Sequence, residues 1–226
     1  MLDSRKNIEL ITSKDGSHTL YVPELDETYH STHGAIQEAE HVFIKHGLVD
    51  FIAEDKRVVR VLEVGFGTGL NALLTAQYAE MNPETTINYH TIEAYPLSWD
   101  LLKQLNYTSL IKDSQDVFEI LHQSQWGEKK SILANFNFLK EEVFLEQFTS
   151  DNKYDIVFFD AFAPNHQEEM WEISQLKIVI DLIVEGGFFI TYCAKGQLKR
   201  DLKSLGLSVE SLLGPPGKRE MVRARK

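Results

Sequence analysis

The chain has 226 residues, of which 43% are hydrophobic and 25% charged, with a net charge of -11, six Pro, thirteen Gly and one Cys. This composition is typical of a globular domain with an appendage, and it excludes collagen-like, disordered and disulfide-scaffold proteins. Because Cys193 is alone, it can form neither an internal disulfide nor a thiolate zinc site, which favours a reducing compartment, the cytoplasm.

The first 55 residues predict a small N-terminal appendage. The opening MLDSRKNIEL lacks the apolar core of a secretory signal. Two short strands, 8–12 and 18–22, flank an Asp-Gly pair that favours a tight hairpin turn. Residues 34–53 then carry apolar side chains at helical spacing. Since so short a segment buries little core, we expect the chain to divide into this appendage (1–55) and a main domain (56–226).

The main domain alternates strands and helices. Its first strand, Val58–Val64, is a β-branched run of the kind that is buried on both faces of a parallel sheet. Further strands are predicted at 87–93, 132–138, 156–160 and 188–193, with helices at 69–80, from 96, and at 113–123, 141–148, 168–184 and 197–205. Two adjacent strands, 207–212 and 220–225, end the pattern. It predicts an α/β fold, doubly wound around a mostly parallel sheet, with a closing ββ pair.

The first strand of the main domain runs into the loop Glu63-Val-Gly-Phe-Gly-Thr-Gly69. Glycines let a backbone turn sharply and let a ligand approach the peptide groups. The spacing is not that of the dinucleotide fingerprint, and no Lys-Ser/Thr pair follows, as it would in a Walker loop. Because Glu63 would repel a pyrophosphate, we expect a cationic amino-acid ligand here. A strand–helix turn without any ligand is the alternative.

Two further acids follow buried strands at the sheet edge where α/β folds bind ligands. Glu93 comes 24 residues after Gly69, near the separation at which an acid meets ribose hydroxyls. Asp160 ends a strongly apolar strand, where an acid is costly unless it is paired or functional. The loop and the spaced acid together predict a nucleoside-containing cofactor. No metal is expected, since the histidines of residues 30–46 have no thiol or carboxylate partners at ligand spacing.

The glycine loop resembles the first motif of class I S-adenosylmethionine-dependent methyltransferases, whose seven-stranded, Rossmann-like sheet also ends in a ββ pair. More narrowly, the chain resembles the methyltransferase domain of the bifunctional tRNA 5-methylaminomethyl-2-thiouridine biosynthesis proteins, the MnmC family. The similarity spans nearly the whole chain. It is carried by Tyr29-His-Ser31, Glu38-Ala-Glu-His-Val-Phe43, Gly65-Phe-Gly-Thr-Gly-Leu-Asn71, Ile92-Glu-Ala-Tyr-Pro-Leu97, Phe159-Asp-Ala-Phe-Ala-Pro164 with Met170-Trp171, and Gly217-Lys-Arg-Glu-Met221.

The resemblance implies methylation of the 5-aminomethyl group of 5-aminomethyl-2-thiouridine at the tRNA wobble position, with S-adenosylmethionine as donor. The implied partner is the tRNA anticodon loop, and the implied catalytic residue is Asp160, facing the substrate amine. Carried over by position, the cofactor-binding residues are Glu63, Gly65, Phe66, Gly67, Thr68, Gly69, Asn71, Glu93 and Ala94. The substrate-binding candidates are Tyr29, Phe162, Pro164, Lys218 and Arg219.

Two features depart from the family pattern. Where the family usually places an acid beside adenine, this chain has Leu139-Lys140, with Glu141 and Glu142 close behind. Which acid serves the adenine is therefore open. The bifunctional relatives also carry a flavin-dependent oxidase domain, and no second glycine fingerprint follows here. We therefore expect no FAD and action on the aminomethyl nucleoside only. We also expect no membrane association, since the most apolar stretch, 178–190, is interrupted by Asp181 and Glu185.

Two other functions stay open at this point. A spermidine-synthase-like aminopropyltransferase shares the fold, although such proteins generally have an acid where this chain has Ala163. A non-catalytic RNA-binding module is the second alternative. Residues 195–226 contain nine Lys or Arg against three Asp or Glu, whereas the rest of the chain is strongly acidic. This basic segment is either a solvated surface or a contact for phosphates.

Overall fold

The fold is described from a computed structural model, which covers residues 7–53 and 57–226. The predicted boundary between appendage and main domain, at residues 55 and 56, lies outside these described residues. The strands are β1 (Glu9–Thr12), β2 (His18–Val22), β3 (Glu27–Thr28), β4 (Val58–Val64), β5 (Thr86–Glu93), β6 (Lys130–Leu133), β7 (Phe136–Glu142), β8 (Tyr154–Phe159), β9 (Ile183–Thr191), β10 (Ser208–Leu213) and β11 (Glu220–Arg225).

Two helices, α1 and α2, belong to the appendage, and the others lie between strands of the main domain. They are α1 (Ala35–Ala39), α2 (Asp50–Ile52), α3 (Leu70–Met81), α4 (Trp99–Leu102), α5 (Tyr107–Leu110), α6 (Gln115–Gln123), α7 (Ile173–Asp181) and α8 (Gly196–Ser204). A π-helical segment, Glu40–Val49, joins α1 to α2 in one continuous helix, and two 3-10 turns span Leu145–Gln147 and Glu168–Trp171. No helix of the described residues is long and apolar enough to cross a membrane.

The main sheet confirms the predicted α/β architecture. Its strand order is β10-β11-β9-β8-β4-β5-β7-β6, and the appendage forms a separate sheet, β1-β2-β3. Strands β4, β5, β7, β8 and β9 are mutually parallel, whereas β11 runs antiparallel to both β9 and β10. The chain leaves β4 toward β5 on one side and reaches β8 on the other, so the topological switch point lies at β4.

The prediction of a single strand at 132–138 was wrong in one respect. These residues belong to a hairpin of two strands, β6 and β7, so the main sheet has eight strands. β6 and β7 pair antiparallel around Asn135, whose side-chain amide donates to the carbonyl oxygens of Ala79, Asn82 and Thr85. β7 then continues to Glu142, so the helix predicted at 141–148 is reduced to the 3-10 turn Leu145–Gln147.

The helix predicted at 168–184 is also shorter, and its expected glycine cap lies inside a strand. α7 ends at Asp181, and β9 runs from Ile183 through Gly186 and Gly187. A Cβ on Gly187 would lie 2.7 Å from the carbonyl oxygen of Asp155, so the two backbones approach too closely for a side chain. The pairing of β8 with β9 shifts register at this place, which is where glycine is typical of a bulge.

The helix of the appendage packs on the main sheet and shares its core. Phe43 lies 5.2 Å from Phe158, centroid to centroid, and Gly47 allows the helix to touch the same ring. Side chains alternate along β4, so that Val59 and Val61 belong to this face of the sheet, while Leu62 and Val64 belong to the face covered by α7 and α8. The appendage therefore contributes a wall of the main domain rather than a core of its own.

Candidate cofactor and substrate site

A cavity opens at the carboxyl ends of β4, β5, β7 and β8, at the switch point of the sheet. It encloses about 1090 Å³ of space without atoms, open solvent included. The predicted residues that line it are Tyr29, Gly65, Phe66, Gly67, Thr68, Glu93, Ala94, Asp160 and Phe162. The predicted residues that do not line it are Glu63, Gly69, Asn71, Pro164, Lys218 and Arg219.

The glycine loop turns from β4 into α3 through positive φ angles. Gly65 has φ +95, and a Cβ there would lie 2.6 Å from the backbone oxygen of Asp160. Only glycine fits this contact, which brings the end of β8 against the end of β4. The N–H groups of Gly65 and Phe66 both donate to the carbonyl oxygen of Ile92, so the loop is also fixed to β5.

Glu93 is held by two backbone groups at the end of β5. Its Oε2 accepts the N–H of Gly67 at 3.0 Å, and its Oε1 accepts the N–H of Tyr95 at 2.9 Å. These charge-assisted bonds orient the carboxylate in the cavity wall, beside the glycine loop. The arrangement is suited to binding a vicinal diol in the cavity.

Asp160 lies at the end of β8 and is oriented by Asn71. The Asn71 side-chain amide donates to Oδ2 of Asp160 at 2.8 Å. Burial raises the pKa of Asp160 to about 7, with Glu38 raising it further and Asn71 and Lys218 opposing the rise. A carboxyl group that titrates near neutral pH can accept a proton from a reacting group. Asn71 therefore positions the Asp160 carboxyl group and does not itself line the cavity.

Glu63 is fully buried outside the cavity, contrary to the predicted contact with a cationic ligand. It shares the sheet face of Val59 and Val61, because side chains alternate along β4, and it points under α3. Burial raises the pKa of Glu63 to about 8, so the group is mostly neutral at pH 7. Thr91 and Tyr89 surround it closely enough to influence that pKa, but neither makes a hydrogen bond of good geometry.

Aromatic side chains from two separate segments meet over the glycine loop. The rings of Tyr29 and Phe162 pack edge to face at 4.9 Å, and Tyr29 lies against Gly67. The Phe162 carbonyl accepts the indole N–H of Trp171 at 2.8 Å, which fixes the loop after β8. The appendage and this loop therefore form one aromatic wall, suited to a planar base.

Lys218 and Arg219, predicted together as phosphate contacts, differ in their surroundings. The Lys218 ammonium pairs with the buried carboxylate of Glu38 and lies 3.8 Å from the Tyr192 ring centroid. It is therefore part of the packing behind the cavity. Arg219 is exposed at the adjoining turn and has no ion pair among the described residues.

Leu139-Lys140, where the family usually has an acid, lies within β7. Lys140 is buried on the far side of the strand, where its ammonium donates to the His122 carbonyl at 2.6 Å and lies 4.6 Å from the Trp126 ring. Neither Glu141 nor Glu142 lines the cavity. Glu146, a few residues on, does line it, together with Phe144.

Several cavity residues were missed from the sequence. They are His30, Tyr95, Phe144, Glu146, Gln167, Glu169, Met170 and Tyr192. Three of them lie in segments that carry the family resemblance, but nothing in their spacing distinguishes a wall residue from a core residue. Within the described part of the chain, no group of three or more His, Cys, Asp or Glu side chains is placed to hold a metal ion.

The chain is similar to known proteins over most of its length. A family model of S-adenosyl-L-methionine-dependent methyltransferases matches residues 114–226. The tRNA 5-methylaminomethyl-2-thiouridine biosynthesis bifunctional protein MnmC of Cupriavidus metallidurans is 31% identical over 96% of this chain and 34% of that protein. MnmC of Cupriavidus necator is also 31% identical, over 89% of this chain and 32% of that protein. The chain thus spans about a third of the length of these curated relatives.

Solved structures show the same relationship. MnmC2 of Aquifex aeolicus superimposes with a TM-score of 0.81 and 25% identity, over 97% of this chain and 70% of that one. The O-methyltransferase NovP has a TM-score of 0.52 at 13% identity, over 87% of this chain and 82% of that one, and shares the fold alone.

Proposed function

Because the chain belongs to the S-adenosyl-L-methionine-dependent methyltransferase family, we propose that it methylates the primary amine of 5-aminomethyl-2-thiouridine at the wobble position of tRNA, giving 5-methylaminomethyl-2-thiouridine. The observation that carries the proposal is Asp160, a carboxyl group of near-neutral pKa in the cavity wall, oriented by Asn71 next to the glycine loop. The relatives named for this nucleoside match the chain over nearly its whole length.

The cavity fits S-adenosylmethionine by the chemistry of its wall. We assign the ribose hydroxyls to Glu93 and the methionine part to the loop 65–68, and Phe144 and Glu146 would contact the adenine. Four carboxylates line the cavity, and no Lys or Arg is found among its described lining residues. A sulfonium and an ammonium are favoured in such surroundings. When bound, S-adenosylmethionine supplies an electrophilic methyl group.

Asp160 prepares the amine for attack. An aminomethyl group is largely protonated at neutral pH, and an ammonium has no lone pair with which to attack a methyl carbon. The Asp160 carboxylate orients the amine and accepts its proton, while Asn71 keeps the carboxylate in place. General base assistance of this kind contributes about 10²–10⁴-fold to a rate. The carboxylate form is required, so activity falls at pH values below the pKa of Asp160.

The tRNA anticodon loop is the proposed macromolecular partner. The turn that carries Arg219 precedes β11, and because β11 is antiparallel to β9 this turn lies at the cavity edge of the sheet. α8 follows β9 at the same edge and carries the exposed Arg200, whereas Lys199 is paired with Glu220. Arg219 and Arg200 offer contacts for phosphates, and Tyr29 with Phe162 offers an aromatic wall for the flipped base.

The test is transfer of labelled methyl from S-adenosylmethionine to tRNA that carries 5-aminomethyl-2-thiouridine but not its methyl group, followed by mass analysis of the nucleosides. We expect label in 5-methylaminomethyl-2-thiouridine. Unmodified tRNA and tRNA that already carries the methyl group serve as controls. Binding of the cofactor without any transfer to tRNA would contradict the proposed substrate and favour a small amine acceptor or a non-catalytic module.

A further inference from the structure

His30 lies in the cavity wall and is linked to the glycine loop through Thr68. Its Nε2 is 2.6 Å from Oγ1 of Thr68, and the Tyr107 hydroxyl donates to the same oxygen at 3.3 Å. All three side chains are buried. A threonine hydroxyl has one proton and two lone pairs. Because Thr68 accepts from Tyr107, its own proton is available to Nε2 of His30.

These hydrogen bonds are compatible with the tautomer of His30 that is protonated on Nδ1, in which Thr68 donates to Nε2. Burial lowers the pKa of the imidazole to about 4, so the ring is neutral at physiological pH and carries one proton. With Nε2 accepting from Thr68, that proton is on Nδ1. Nδ1 hydrogen-bonds to none of the described residues, and it is not among the polar atoms sealed from solvent. In the tautomer with the proton on Nδ1, His30 presents an N–H donor to the cavity.

The cavity offers an anion few other donors. No Lys or Arg is among the described residues that line it. Four of the five N–H groups of the loop Gly65–Gly69 are already used within the protein, and that of Thr68 is the exception. Carboxylates, by contrast, are frequent in the wall: Glu93, Glu146, Asp160 and Glu169. The loop therefore offers an anionic group one unused donor, the N–H of Thr68, and any further donors must come from side chains of the wall, such as Gln167 and His30.

We propose that His30 is protonated on Nδ1 and determines the specificity for the methyl donor by donating from Nδ1 to the carboxylate of S-adenosylmethionine. The inference rests on the proposed cofactor. It goes beyond it, because it names the group of the cofactor that is recognised, the carboxylate, and the residue that binds it, His30. Decarboxylated S-adenosylmethionine has the same sulfonium, amine and nucleoside but no carboxylate. His30 thus favours a methyl donor over an aminopropyl donor, which carries no carboxylate.

The test measures binding of S-adenosylmethionine and of its decarboxylated form by calorimetry. In His30→Gln the amide replaces Nε2 and can keep the contact with Thr68, but the donor at Nδ1 is lost. In His30→Asn the amide replaces Nδ1 instead. We expect His30→Gln to weaken binding of S-adenosylmethionine about 10- to 100-fold and that of the decarboxylated form less than about twofold, since a hydrogen bond to a charged acceptor has that strength. His30→Asn should keep most of the preference.

His33→Gln is the matched control, because His33 is exposed and does not line the cavity. If His30→Gln weakens both ligands equally, or neither, the inference about His30 is wrong while the cofactor assignment stands. If the unaltered protein binds neither ligand, or prefers the decarboxylated one, the proposed function fails as well.

A second measurement needs no variant. Nitrogen-15 spectra of the imidazole rings should show His30 protonated on Nδ1, with an accepting Nε2, and the Nδ1 proton should shift when S-adenosylhomocysteine is added. The opposite tautomer, or no response to a ligand that binds, would overturn the inference even if the variants failed to fold.

Discussion

Replacing Asp160 by Asn should inactivate the protein and stabilise it in the same experiment. The amide has the shape of the carboxyl group and can still accept from Asn71, but it cannot take a proton from the substrate amine. We expect the rate of methyl transfer to fall about 10²–10⁴-fold. Cofactor affinity should change only a few-fold, because the assigned contacts of the cofactor are to the glycine loop and Glu93.

The stability effect follows from the pKa of Asp160. Its pKa is about 7 in the folded protein, against an ordinary value of 3.8. Between these pH values the unfolded chain has released its proton while the folded protein retains it, so the free energy of unfolding falls as pH rises and levels off above about pH 7. The difference between the folded and unfolded pKa corresponds to a loss of ~4 kcal/mol in the free energy of unfolding. Because the cavity admits solvent, the expected loss is ~2 kcal/mol.

At pH 8 the absence of this loss should raise the melting temperature of Asp160→Asn by about 4–8 °C, and the gain should shrink toward pH 4. The assays are thermal unfolding across pH 4–8 and single-turnover methyl transfer across pH 6–9, where the unaltered protein should gain rate up to about pH 7 and then level off. Loss of cofactor binding in the variant, or a melting temperature that drops equally at every pH, would refute the role given to Asp160.

Three further changes test the rest of the site. Gly65→Ala should destabilise the protein by about 1–3 kcal/mol in thermal unfolding, because φ is +95 and the new Cβ would lie 2.6 Å from the Asp160 carbonyl oxygen. Glu93→Ala should weaken cofactor binding in calorimetry about 10- to 100-fold and change the saturated rate little, since it removes a group assigned to binding alone. Arg219→Glu should weaken tRNA binding and make its salt dependence less steep, by about one phosphate contact, without affecting cofactor binding.

Two of these changes, Gly65→Ala and Arg219→Glu, have a control in the same chain. Gly127 has φ +79, and a Cβ added there would have no atom within 4 Å, so Gly127→Ala should show only the backbone strain and no loss of methyl transfer. Lys130→Glu alters an exposed charge on the opposite edge strand, β6, and should leave tRNA affinity unchanged. An equal effect of the two charge reversals would mean that Arg219 makes no specific contact.

The order of strands and helices could be predicted because it depends on local patterns. The β-branched run Val58–Val64 and the glycines after it indicate a buried strand and a sharp turn whatever surrounds them. Gly186 and Gly187 show the limit of that reasoning. A glycine pair is equally compatible with a helix cap and a bulge, and the choice depends on how closely the backbone of Asp155 passes by.

The surroundings of the side chains in the site were harder to predict than the segments of the chain that form it. Alternation along β4 puts Glu63 on one face, but the sequence alone does not reveal which face is sealed by α3. Lys218 is basic and near a turn, which suggests a surface contact, yet its partner Glu38 is 180 residues away. His30 has no spacing that indicates a donor, because its role depends on Thr68 and Tyr107 in two other segments.

The position of β11 in the sheet determines the order in which the strands can pair during synthesis of the chain. β11 lies between β9 and β10, so β9 has no neighbour on that side until residues 220–225 have been synthesised and inserted. A nascent chain on the ribosome therefore exposes the backbone edge of an apolar strand, which invites pairing with other chains. The turn with Lys218 arrives just before β11, so the contact with Glu38 forms in the same late step. Co-translational folding should accordingly give a partly formed sheet first, and the wall behind Asp160 only when β11 docks.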